Sequence, residues 1–271
     1  MIGRLLIPTS FAALLLGVWE LAVRSFGVPV YILPPPSRIA ITFFTRFPML
    51  ARHGATTLGE IALGLTLAAS FGFLLAIALH HSRSLERGLH PFIVASQMLP
   101  VFAIAPLLVV WLGFGVWPKV VVTALIGFFP VVVSELDGLR AASRESVDLL
   151  LSMGATRRQL LTKLLLPASL PSLFSGLKLA ATLSVVGATI GEWVGARRGL
   201  GYLMLESNAR LHVDIVFASI LMLTLIGLLL FGALRIIERW ALRWREPAGG
   251  GVPVGRGAST GHGASARRGR G

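Results

Sequence analysis

Apolar residues in this chain come in long unbroken runs rather than in stripes. Uncharged stretches recur at Leu5–Trp19, Ile61–Ser82, Gly88–Pro118, Val120–Ser134, Leu179–Gly191 and Ile215–Leu234. A helix needs about 20 apolar residues to cross a bilayer core. Six transmembrane helices are therefore predicted, near 5–26, 57–79, 92–113, 117–136, 173–194 and 215–236. Barrel strands would appear as alternating segments of about ten residues, whereas these runs are longer and apolar on every side. The expected fold class is an all-α integral membrane protein with both termini on one side.

The first run needs a separate check, because Arg4 ahead of an apolar segment is also how a secretory signal begins. Val18, Trp19, Glu20 and Leu21 stand where small residues would mark cleavage, so a retained first helix is expected.

Composition points the same way. Of 271 residues, 55% are hydrophobic and 14% charged, against about 25% charged in soluble domains, and the mean hydropathy is +0.79. There is no cysteine, which excludes disulfides, thiolate metal sites and cysteine nucleophiles. The formal net charge of +13 would prompt a nucleic-acid reading in a soluble protein. Here, four of the arginines, Arg256, Arg267, Arg268 and Arg270, sit in a Gly-rich, acid-free tail from Pro247 to Gly271. That tail cannot bury a core. It reads as a solvated segment able to touch anionic lipid, and no aromatic residue is interleaved to stack bases.

The remaining basic residues set the orientation. With the N-terminus inside, the cytoplasmic set is Arg4, Arg83, Arg87, Arg140, Arg144, Arg157, Arg158, Lys163, Lys178, Arg235, Arg239, Arg243 and Arg245. The external set is smaller: Arg24, Arg38, Arg46, Arg52, Lys119, Arg197, Arg198 and Arg210. Both termini are expected in the cytoplasm, with the Arg24–Arg52 loop running against the bias.

Between the fourth and fifth spans lies a patterned hydrophilic interval from Glu135 to Ser172. Asp148 to Met153 reads as helix, Gly154 can end it with positive φ, and Thr156 is placed to cap a second helix from Arg157 to Leu166. Pro167 and Pro171 are expected to break that helix before the membrane is re-entered. Leu149, Leu150, Leu151 and Met153 give this elbow an apolar face. Such a face either docks into a partner's groove or lies on the lipid interface.

The run Asp148-Leu-Leu-Leu-Ser-Met-Gly154-Ala155-Thr156, followed by Leu164-Leu-Leu-Pro167 and Pro171, resembles the EAA loop of binding-protein-dependent ABC importer permeases. Asp148 stands where that family usually has Glu, and Leu149 and Leu150 where it usually has small residues. The resemblance covers most of residues 33 to 245. It is carried in order by Leu33-Pro34-Pro35-Pro36-Ser37, Leu99-Pro100 to Pro106-Leu107, Trp111-Leu-Gly113-Phe-Gly115, Phe128-Phe129-Pro130, Gly191-Glu192-Trp193 and Gly199-Leu200-Gly201-Tyr202. These pieces are similar to the nitrate, taurine, alkanesulfonate and pyrimidine-precursor subgroup. Leu177-Lys178-Leu-Ala-Ala-Thr and Gly191-Glu-Trp-Val-Gly further resemble permeases of thiamine-pyrimidine or riboflavin uptake.

The resemblance implies a type I importer permease in a bacterial inner membrane. Its implied partners are a cytoplasmic ABC ATPase dimer, an extracytoplasmic solute-binding protein and a second permease copy, most simply as a homodimer, since two motor grooves call for two elbows. Asp148, Leu149, Leu150, Met153, Gly154, Ala155 and Pro167 are the implied ATPase-coupling residues. ATP and Mg²⁺ belong to the partner and no cofactor is expected in this chain. Residues 1–56 then form the first helix and external loop, 57–245 the permease core with its coupling loop at 137–172, and 246–271 the tail.

The residues themselves supply no other engine. A phosphate-cradling loop requires a Gly-Lys pair, yet Lys119, Lys163 and Lys178 follow Pro118, Thr162 and Leu177. No two of His53, His80, His81, His90, His212 and His262 form a His-Glu-x-x-His pattern, and Gly257-Ala-Ser259-Thr-Gly261 has no strand or helix to make a nucleophile elbow. An enzyme is not expected. The rival transport reading, an ion-coupled carrier, would ordinarily need a carboxylate cluster near the bilayer midplane. Glu20 lies within the first span, facing either a pathway or the headgroups; Glu60 and Glu192 are expected near external span ends, close to water; Lys178 is expected to snorkel to the cytoplasmic interface. For the pathway wall the candidates are Ser96, Gln97, Met98 and Pro100 in the third span, where proline permits a kink, with Thr189 and Glu192 in the fifth. Gly187, Ala188, Thr189 and Gly191 allow close helix approach, so the pathway or the dimer seam is expected to pass there.

Overall fold

The computed structural model describes residues 2–244; the expected Gly- and Arg-rich tail at 246–271 lies outside the described residues. Eleven α-helices and one π-helical turn follow one another with no strand among the described residues. They are α1 (Ile2–Ser25), α2 (Pro36–Thr45), α3 (Phe47–His81), α4 (Arg83–Ser96), α5 (Val101–Leu112), α6 (Trp117–Arg140), α7 (Arg144–Ser152), α8 (Arg157–Leu160), the π turn (Leu161–Leu165), α9 (Leu166–Gly195), α10 (Leu200–Ala209) and α11 (Val213–Ala241).

Four stretches, α3, α6, the continuous run 157–195 and α11, are long and apolar enough to cross a membrane, and the pair α4 and α5 makes a fifth if counted as one span. Helix α1 occupies the first expected span. The third span departs from expectation: instead of one kinked helix at 92–113, α4 and α5 meet at 99° around a break at 97–100. Pro100 is the cause. It pushes Leu99 out of the helical region and offers no N–H to continue the ladder, so the chain restarts at Val101 with Ala103 N–H donating to the Pro100 carbonyl at 2.8 Å.

Pro167 does not break the chain where expected. Helix α8 passes through the π turn directly into α9, with Pro167 in the first turn of α9. A π turn bonds each N–H one residue further back than an α-helix does. The Leu166 N–H reaches the Leu161 carbonyl, which re-registers the ladder just where proline withholds a donor. The hydrophilic interval is correspondingly shorter than 135–172, because α6 runs on to Arg140 and α9 begins at Leu166.

Helix α6 packs between α3 and α9, and these three form the centre of the bundle. Small residues on α3 and α9 let the axes approach. A Cβ added at Gly64 would stand 2.5 Å from Thr123 of α6, and one at Gly187 2.9 Å from the Thr123 Cα. Gly187 and Gly191 of α9 thus pack against α6 of the same chain, while Ala188 between them joins the cluster with α3, α10 and α11 and Thr189 faces α11. At the end of the bundle away from α7, Leu50, Ile61, Ala188, Leu200, Ala218 and Leu223 join α3, α9, α10 and α11 in one apolar cluster. Large apolar side chains such as Phe71, Leu74, Leu228 and Leu229 point outward, as a surface solvated by hydrocarbon requires.

Candidate functional site

Two constructions stand at opposite ends of the central helices. The first is the elbow. Ser143 caps α7, its Oγ accepting from Ser146 N–H at 3.2 Å. At the far end Gly154 takes φ +81°, a conformation that costs an L-residue about 1–2 kcal/mol. Its N–H donates to the Leu151 carbonyl at 2.9 Å, and the Ala155 N–H donates to the Leu150 carbonyl at 3.0 Å. Those two bonds are the Schellman pattern, which satisfies the carbonyls a helix end leaves open. Thr156 begins the next helix at once: Gln159 N–H donates to Thr156 Oγ1 at 3.3 Å, while Thr156 N–H donates to Gln159 Oε1 at 2.8 Å. This reciprocal box, together with the two backbone bonds of the Schellman turn, fixes the angle between α7 and α8 through bonds local to the elbow.

The fixed angle presents particular side chains. Leu149 and Met153, one turn apart on α7, are 63% and 75% exposed. Asp148 is exposed, Leu150 and Ala155 are half-buried, and Pro167 is seated in the first turn of α9. Leu151 lies on another side and lines a cavity toward α3. Below the elbow, Ser169 Oγ of α9 donates to the buried Glu135 carboxylate of α6 at 2.8 Å, so the root of α9 is pinned to its neighbour. At 1.5 Å per residue, the unbroken helix α9 reaches about 45 Å to the other end of the bundle.

There the second construction sits. Glu192, 1% exposed, accepts the Thr57 hydroxyl at 2.7 Å and the Gly201 N–H at 2.5 Å. Thr57 Oγ1 in turn accepts the Leu200 N–H at 2.9 Å, and Gly199 N–H donates to His53 Nδ1 at 3.1 Å. One carboxylate therefore ties the end of α9 to α3 and to the start of α10. The fit allows no side chain at Gly199, whose φ is +121° and whose Cβ would collide with the Glu192 carboxylate. Beside it, Lys119 Nζ of α6 donates to Glu60 Oε1 of α3 at 2.6 Å, with both side chains buried.

These placements revise several expectations. Glu60 and Glu192 are buried in a bonded cluster with Thr57, Lys119 and the α10 amides, and Glu60 and Lys119 also line a cavity with Arg197 and Arg198. Lys178 is held by Glu238 of α11 at 2.8 Å. Glu20 accepts the Ser37 N–H at 3.0 Å and pairs with Arg24 at 2.5 Å, fastening α1 to the start of α2. The residues chosen for a pathway wall are not brought together. Ser96 and Gln97 line a cavity of about 260 Å³ with Ile104, Leu125 and Phe128. Met98 and Pro100 are exposed at the α4–α5 break. Thr189 lines a separate apolar cavity of about 680 Å³ between α9 and α11. Thr57, Lys119 and Glu135 were not singled out from sequence as site residues; their partners lie 135, 59 and 34 residues away, and no local spacing signals such pairs.

A bundle of apolar helices long enough to cross a membrane, with a capped polar elbow between two of its central spans, defines a multi-pass membrane protein. Residues 68–243 match the family model described as binding-protein-dependent transport system inner membrane component. The chain belongs to this family of ABC importer permeases. It is 40% identical over 240 residues, covering 88% of this chain and 96% of the relative, to the formylaminopyrimidine transport permease protein ThiX of Halalkalibacterium halodurans. It is 36% identical to the riboflavin transport system permease protein RibX of Chloroflexus aurantiacus, over 85% of this chain and 87% of that one. The taurine transport system permease protein TauC of Escherichia coli is 30% identical, over 87% of this chain and 88% of the relative. Among solved structures, an inward-facing conformation of the MetNI methionine ABC transporter superposes with a TM-score of 0.65 at 19% identity, over 73% of this chain and 98% of that one, a likeness of fold.

Proposed function

We propose that this permease is driven by a separate ATPase subunit docked on the α7–α8 elbow, and that it imports an aminopyrimidine-type vitamin precursor delivered by an extracytoplasmic binding protein. The observation that carries the coupling half of this reading is the pair Leu149 and Met153, 63% and 75% exposed on a helix whose angle is locked by the Gly154 and Thr156 caps. Two large apolar side chains held rigidly outward are suited to a groove. Asp148, Leu150 and Ala155 complete that surface, and Pro167 and the π turn join it to α9. ATP and Mg²⁺ are bound by the partner, and this chain holds no cofactor.

The mechanism is mechanical. Closure of the motor displaces the elbow, α9 carries that displacement along its length, and the Glu192 cluster at the far end is where α3 and α10 must follow. No covalent bond is made; the work is a shift between two populated states, inward-open and outward-open. Two copies of the chain, one per motor groove, enclose the pathway. The elbow and both termini face the cytoplasm, in keeping with the distribution of arginines. The 40% identity to a formylaminopyrimidine permease across 88% of this chain supports that substrate, with riboflavin, taurine or an alkanesulfonate as the other outcomes of a ligand screen.

Co-expression with a candidate ATPase and binding protein, followed by purification through this chain, tests the reading. A stoichiometric ATPase that Leu149→Asp releases without loss of permease expression is the expected result. Uptake by this chain alone in proteoliposomes, driven by an ion gradient and indifferent to Leu149→Asp, would replace the reading with a secondary carrier.

A further inference from the structure

The inner side of the elbow encloses a cavity of about 610 Å³ against the end of α3. Ile77, Leu151 and Leu161 form an apolar wall. Arg157 and Arg158 of α8, with His80 and His81 at the end of α3, supply its polar side, and no acidic residue lines it. Neither guanidinium is ion-paired with another described residue.

We infer that this cavity is a binding site for an anionic phospholipid, with the phosphate on Arg157 and Arg158 and an acyl chain along Ile77, Leu151 and Leu161. Three features select a lipid over other anions. The cavity opens at the end of a membrane-crossing helix, the depth at which headgroups lie. It joins a cationic side to an apolar wall, and a free phosphate would leave that wall wet, whereas basic pockets at helix ends take anionic headgroups. It also lies on the side of α7 opposite Leu149 and Met153, so a protein seated on those residues does not fill it. A lipid bound here braces the elbow against α3 and makes the stiffness of the coupling joint depend on the composition of the leaflet.

The site rests on the geometry of the elbow and not on the motor-docking reading, and the two are separable by experiment. The full-length chain is purified in detergent, incubated with equimolar phosphatidylglycerol and phosphatidylcholine, and the retained lipid counted by native mass spectrometry. The wild type is expected to retain phosphatidylglycerol preferentially, and the double variant R157Q/R158Q to lose that preference by on the order of tenfold. Lys163→Gln, a charge removed from the adjacent turn but not from the cavity wall, is expected to retain it. Leu149→Asp should also retain it, whatever it does to ATPase binding. Equal retention of the two lipids by the wild type, an unchanged preference in R157Q/R158Q, or an equal loss in Lys163→Gln would each overturn the assignment. If R157Q/R158Q keeps its lipid and loses the ATPase, the arginines belong to the motor contact instead.

Discussion

Lys119 Nζ lies 2.6 Å from Glu60 Oε1, with the two side chains 8% and 2% exposed, where α6 and α3 approach the end of the bundle opposite the elbow. Burial removes both groups from solvent, so the pair is worth little relative to well-packed apolar residues but a great deal relative to a lone charge. Deleting one member of such a pair typically costs about 3–5 kcal/mol. Lys119→Met and Glu60→Leu are therefore each expected to lower the apparent melting temperature of the purified protein markedly, while the double variant recovers most of the loss. Size-exclusion profiles after a temperature series measure this; a double variant as unstable as the sum of the singles would show that the two residues act independently.

Thr57 links Glu192 to the start of α10, donating to the carboxylate and accepting from the Leu200 N–H. Thr57→Val keeps the shape and removes both bonds, leaving two buried polar groups unpaired at about 1–3 kcal/mol each. Thr57→Ser is expected to be close to wild type in the same thermal assay. Similar losses for Val and Ser would mean that the methyl group, not the hydroxyl, is what the site needs.

At Gly154 the demand is on the backbone. Gly154→Ala must hold φ +81° at a cost of about 1–2 kcal/mol, and is expected to reduce uptake partially. Gly154→Pro cannot take that angle and also loses the N–H that bonds Leu151, so uptake is expected to vanish while membrane expression persists. Comparable uptake by the two variants would detach the Schellman turn from coupling.

Because the natural chain has no cysteine, a single introduced thiol reports its own side of the membrane. Leu149→Cys is expected to react with an impermeant maleimide only in inverted vesicles, and Arg198→Cys only in intact cells or spheroplasts. The opposite pattern would turn the protein over and remove the elbow from the reach of any cytoplasmic motor.

Much of the elbow was legible before any coordinates, because its information is local. Gly154 for positive φ and Thr156 for a cap act through bonds spanning five residues or fewer, and each stands where the structure uses it. Prolines were legible only by half. Pro100 does interrupt the third span, but as a 99° bend, while Pro167 is absorbed by a π turn whose register depends on how α8 is held. Glu60, Lys119 and Glu192 were visible as charges, yet their burial was not.

The sequence by itself determined that the chain crosses a membrane, roughly where it does so, and that a capped polar elbow interrupts the crossings, since transfer of apolar runs into hydrocarbon and the closing of short hydrogen-bonded turns need no knowledge of distant residues. Only the tertiary structure decided that Gly187 and Gly191 of α9 pack against α6, that Lys119 meets Glu60, and that Glu192 binds α9 to α3 and α10. Runs that are apolar all round carry no preferred face, so helix rotation and partner choice are set by which side chains interlock in space.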